Sequence, residues 1–104
     1  MARDTFYNAL KTTGLPVAYA VFTDQNTQPP YLVYIGAGQY IFAADDDYYY
    51  RRNNYQVEYY FKDKNEENEL AIEDAILSNG YRYTKSDDVP IEDEGVYVIY
   101  YSIS

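Results

Sequence analysis

At 104 residues, with a formal charge of −9, the chain is long enough for one core and no more. Seventeen acidic against eight basic side chains oppose contact with nucleic-acid phosphates, and the absence of histidine and cysteine removes disulfides, thiolate chemistry and the side chain most easily tuned near neutral pH. No apolar run is long enough to cross a bilayer, and charges stand in MARDTFYNALK where a signal peptide needs its apolar centre, so the expectation is a soluble protein, intracellular when made and without membrane contact.

Asp4 is a candidate N-cap for a short first helix on which Phe6, Ala9 and Leu10 share a face, with Gly14 and Pro16 ending it. Residues 15–22, LPVAYAVF, are β-branched and aromatic with both faces apolar, which predicts a strand in the middle of a sheet. The turn-forming stretch 23–30, TDQNTQPP, leads to a second apolar run at 31–35, and the two runs read as a hairpin with a long tip. Gly36-Ala37-Gly38 allows a sharp turn or bulge before a short strand at 39–42, and these glycines fit no phosphate-cradling pattern.

The stretch 43–61, AADDDYYYRRNNYQVEYYF, divides in two. Asp45, Asp46, Asp47, Tyr48, Tyr49, Tyr50, Arg51 and Arg52 show no apolar period that a helix or strand could bury, which predicts an exposed loop. Asn53 and Asn54 favour a turn. Beyond them Tyr55, Val57, Tyr59 and Phe61 alternate with Gln56, Glu58, Tyr60 and Lys62, the pattern of a half-buried strand.

Asp63 or Asn65 caps the main helix, about 65–78, whose first turn holds Glu66, Glu67 and Glu69 at the positive end of the helix dipole. Leu70, Ile72, Ala75, Ile76 and Leu77 supply its apolar face, Glu73 and Asp74 point to water, and Asn79-Gly80 stops it. A short strand at 81–84, a polar loop at 85–94 and a long closing strand at 96–103, VYVIYYSI, complete the chain. Burial of Val96, Val98, Ile99 and Ile103 contributes about 1.5 to 3 kcal/mol each, so removing the closing strand unfolds the domain. The prediction is one α+β domain over 1–104. Its mostly antiparallel sheet has four to five strands, with the main helix on one face and the short N-terminal helix beside it.

Catalytic chemistry finds little to use. Paired acids could be drawn from Asp45, Asp46, Asp47, Asp87, Asp88 and residues 92–94, but adjacent loop carboxylates are usually solvated. DDD lacks the alternate spacing and central glycine of a calcium loop, the serine in GVYVIYYSIS has no partner base, and no GxSxG elbow exists. The expectation is a protein that is not an enzyme and needs no metal or cofactor.

The surplus is tyrosine, sixteen of them with four phenylalanines and no tryptophan. Tyrosine suits both half-buried strand positions and protein interfaces, where it adds contact area at low rotamer cost and keeps a polar tip. For the clustered Tyr48, Tyr49 and Tyr50 the interface reading is favoured. An acidic interaction module, or a DNA mimic whose carboxylates imitate phosphate spacing to inhibit a host nucleic-acid-binding protein, accounts for the same charge.

Taken with LPVAYAVF at 15–22, PPYLVY at 29–34, the FAAD segment at 42–45, the YQVEYYFKDKNEENE passage and the VIYYSI end, nearly the whole chain resembles a family of small proteins of long-tailed bacteriophages and Gram-positive prophages. These are the tail-terminator or tail-completion proteins of the head-to-tail neck. The resemblance implies a structural virion assembly protein, one subunit of an oligomeric ring, a hexamer, that caps the tail tube. Its partners would be its own copies, the tail-tube protein and the head connector. It would occupy the host cytoplasm during assembly and then the virion. A ring also needs two unlike patches on each subunit, and the loop from Asp45 to Arg52 is the candidate for one of them.

Overall fold

A computed structural model describes residues 2–22, 26–43, 49–92 and 94–104. Helix α1 (Ala2–Lys11) buries Phe6, Ala9 and Leu10 at the i, i+3, i+4 spacing of one helical face. It starts before Asp4, which therefore does not cap it. Thr12 and Thr13 hydroxyls donate back to the Ala9 and Leu10 carbonyls at 2.6 and 2.7 Å, closing the last turn ahead of Gly14.

The stretch expected to be a central strand yields only β1 (Val17–Tyr19), at the sheet's edge. Ala20 takes a left-handed φ of 65° and ends it, and Val21 beyond is exposed. Nor does it form a hairpin with the next run. It pairs in parallel with β2 (Tyr31–Ala43), Val17 opposite Leu32, so the connection through 20–30 is a crossover and not a tip.

β2 absorbs both the 31–35 run and the 39–42 strand. The glycine segment is a bulge inside it, where the register against β3 (Tyr49–Phe61) shifts between Gly36 and Gln39. β3 begins six residues earlier than the alternation at 55–61 predicts. Asn53 and Asn54 lie within it and make no turn, because Asn53 has Gln39 as its partner and Gln39 Nε2 donates to Asn53 Oδ1 at 3.0 Å.

Helix α2 (Glu66–Ser78) is capped by Asn65, whose side chain accepts from the Asn68 amide at 3.1 Å. After it come β4 (Tyr83–Lys85), β5 (Val89–Ile91) inside the expected polar loop, and β6 (Val96–Ile103). The six strands run in the order β1-β2-β3-β6-β4, with β5 also on β6; all pairs but β1 with β2 are antiparallel. The α+β class therefore stands, with one strand more than expected.

Register explains the core. Leu32, Tyr59 and Ile99 lie in one cross-strand row, and Tyr34, Val57 and Tyr101 in the next. Both rows meet Phe6, Leu10, Ile72 and Ile76 of the two helices in a single buried cluster. Phe6 stacks on Tyr55 at 4.1 Å and 3°, so the aromatic surplus fills the interior as well as the surface. Val96 is only half-buried, whereas Val98, Ile99, Tyr101 and Ile103 are buried.

Candidate functional site

Three features stand out: the ribbon formed by the far halves of β2 and β3, a cleft at its base, and an ion network under α2. β6 accompanies β3 only from Tyr55 to Phe61, so past the bulge residues 39–43 and 49–53 pair only with each other. Among the described side chains between Val33 and Tyr55, only Tyr34 belongs to the core. Tyr40 and Ile41 are exposed, so this half of the hairpin stands clear of the packed domain. The molecule measures 54 × 26 × 24 Å.

The predicted site residues divide along this ribbon. Asp45, Asp46, Asp47 and Tyr48 lie outside the described residues. Tyr49, Tyr50, Arg51 and Arg52 are not loop but strand, with Ala43, Phe42, Ile41 and Tyr40 as their partners. The residue types misled the reading because a two-stranded ribbon is held by its cross-strand backbone pairing and needs no apolar alternation. Arg51 is exposed, and Arg52 turns back onto the domain. Its guanidinium lies 4.7 Å over the Tyr81 ring and donates to the Gly80 carbonyl.

That contact forms one wall of a cleft of about 480 Å³ bounded by Tyr40, Arg52, Asn54, Gly80, Arg82 and Ser104. Arg82 holds its place through the backbone, its amide donating to the Ser104 carbonyl at 2.8 Å and its carbonyl accepting from the Ser104 amide at 3.0 Å. Asn54 Oδ1 is buried in the wall without a hydrogen-bond donor. Sequence reasoning assigned Asn54 to a turn and did not single out Arg82. They are far apart in the chain, and only the arrival of the α2–β4 connection beside β3 brings them together.

The ion network corrects the reading of α2. Leu70 and Leu77, expected on the apolar face, are exposed, and the buried stripe is Glu69, Ile72, Ala75 and Ile76. Glu73 does not point to water: it accepts from the hydroxyls of Tyr83 at 3.1 Å and Tyr101 at 2.8 Å. Lys85 bridges the carboxylates, 2.8 Å from Glu69 and 2.9 Å from Glu73. Lys64 joins Glu69 at 2.8 Å, off the line of a good hydrogen bond, and also reaches Asp88 at 3.1 Å.

Burial alone would raise both glutamates, but the lysines and, at Glu73, the two hydroxyls outweigh it and hold both below the usual carboxylate range. Burial works to lower Lys85 and is overcome by hydrogen bonds to Glu69 and Glu73, so it is raised. Tyr101 is pushed up by burial first and then by Glu73. These groups are fully charged or fully neutral at physiological pH, so the network works as a brace between helix and sheet. Among the described residues no group of three or more acidic side chains is placed to hold a metal ion.

No protein-family model matches the chain, and no curated protein matches it.

Proposed function

We propose that the chain is a structural virion assembly protein, a subunit of an oligomeric ring that terminates a phage tail tube and joins it to the head connector. It acts by assembly and not by catalysis. The observation that carries this reading is the ribbon of β2 and β3: it extends past the stretch of β3 that β6 accompanies, and among its described side chains Tyr40, Ile41 and Arg51 are exposed. Apolar and aromatic area built onto a projecting hairpin calls for a partner to cover it. Tyr49 to Arg52 lie in this ribbon, and the stretch from Asp45 to Arg52 is the proposed contact segment. The family resemblance supplies the identity of the partners: further copies, tail-tube protein and connector.

The experiment is a pull-down from phage-infected or prophage-induced cells, followed by electron microscopy of tails incubated with the purified chain. Recovery of tail-tube and connector proteins, with added density at one end of the tube, is the expected result. Recovery of a nuclease or repressor instead would replace this reading with that of an acidic DNA mimic.

A further inference from the structure

We propose that the cleft between Arg52 and Arg82 is a socket for carboxylates from the acidic end of a second copy of this chain. The chain has eight Lys and Arg side chains against seventeen acidic ones. Lys64 and Lys85 are taken up by the network under α2. Among the described residues, neither Arg52 nor Arg82 has an ion-pair partner, although both line one cleft. Arg52 is already held by the Tyr81 ring and the Gly80 carbonyl, so little side-chain entropy remains to be lost when it grips an anion.

The two arginines narrow the ligand to an anion, and an acidic peptide supplies carboxylates that pair with guanidinium groups. The chain's net charge also repels nucleic acid.

A peptide of that kind exists on the chain itself. β3 and β6 are antiparallel, so the turn that leads into β6, with exposed Glu92 and Glu94, lies at the opposite end of the sheet from Arg82 and Ser104. Asp63, Glu66 and Glu67, at the entry to α2, follow β3's end at Phe61 and share that far end. The molecule thus carries an arginine cleft at one end and carboxylates at the other. Two unlike patches that meet head to tail make a heterologous contact, the kind that closes into rings. The inference deepens the ring reading and rests on it only for the presence of further copies.

The test is sedimentation velocity at low and high salt on the wild type, on Arg82→Glu and on Glu92→Lys/Glu94→Lys, each alone and then the two variants mixed. Arg82→Ala serves as a milder control, with thermal melts to verify folding. Wild type should associate at low salt and weaken as salt rises. Each variant alone should lose about tenfold or more in association constant, and the mixture should regain it, since each supplies the complement of the other's altered end. A monomeric wild type, variants that associate like wild type, or a mixture that stays apart would overturn the socket. So would saturable binding of a short single-stranded oligonucleotide that Arg82→Glu abolishes. Loss of association in the variants without capture of tail tubes by wild type would leave the socket standing and remove the tail reading. Full tube capture by a non-associating Arg82→Glu would remove the socket alone.

Discussion

Glu69 and Glu73 stand four residues apart on α2, flanking Ile72 and followed by Ile76, so the same stripe that delivers apolar side chains to the sheet delivers two carboxylates. Lys85 meets both, and its replacement by methionine leaves Glu73 with neutral hydroxyls only. Removing one partner of a fully buried pair costs roughly 3–5 kcal/mol; Lys85 is partly exposed and Glu69 keeps Lys64, so Lys85→Met should cost about 2 kcal/mol, read by urea unfolding. A loss below about 0.5 kcal/mol would mean that the brace contributes no more than a surface pair.

The pH dependence follows from the same contacts. Both glutamates titrate lower in the folded chain, so their contribution is present above the unfolded value of about 4.3 and is lost as pH falls through the folded values. Lys85 is raised, so its contribution is present below about 10.4 and is lost as pH rises through its folded value. Unfolding midpoints measured from about pH 5 down to pH 3 should fall less steeply for Glu73→Gln than for wild type. Equal slopes would take Glu73 out of the linkage.

At the scale of elements, α2 shows what periodicity reveals and what it hides. Its start, its stop and the inward direction of Ile72 and Ile76 were readable, because Asn65, Asn79-Gly80 and the helical period are local signals. The exact stripe was not, since Leu70 and Leu77 fit an apolar face one step round from the buried one, and charged residues were assigned to water by type. Ile76→Ala should cost about 3 kcal/mol and Leu77→Ala less than about 1 kcal/mol, compared by thermal unfolding. Comparable costs would return Leu77 to the core.

β1 failed for a different reason. LPVAYAVF has the composition of an interior strand, but Ala20's positive φ and the parallel register are set by where the crossover must return, which no local pattern encodes. β6 succeeded because three strands pair along it and its boundaries coincide with its apolar run. The arginine cleft was illegible on any local reading, as its parts come from β3, the α2–β4 connection and the end of β6.

At the scale of the whole molecule, the domain and its ribbon are separable in the register itself. Gln39 and Asn53 are partners just past the bulge, so joining them through Asn-Gly replaces residues 40–52 with a two-residue turn whose twist suits flanking antiparallel strands. Every side chain described as buried lies outside the removed stretch. The stacked contact of Arg52 on Tyr81 is lost, a cost of about 0.5–1 kcal/mol, so the shortened chain should still unfold cooperatively within about 1 kcal/mol of the parent. It should at the same time lose association with its own copies and with tail tubes, because both the exposed hairpin and one wall of the cleft are gone. Calorimetry and sedimentation on the same preparation read the two halves of the prediction separately. A shortened chain that fails to fold would show the ribbon to be part of the domain's stability, and one that folds and still assembles would move the contact surface to the exposed Leu70 and Leu77 side of α2.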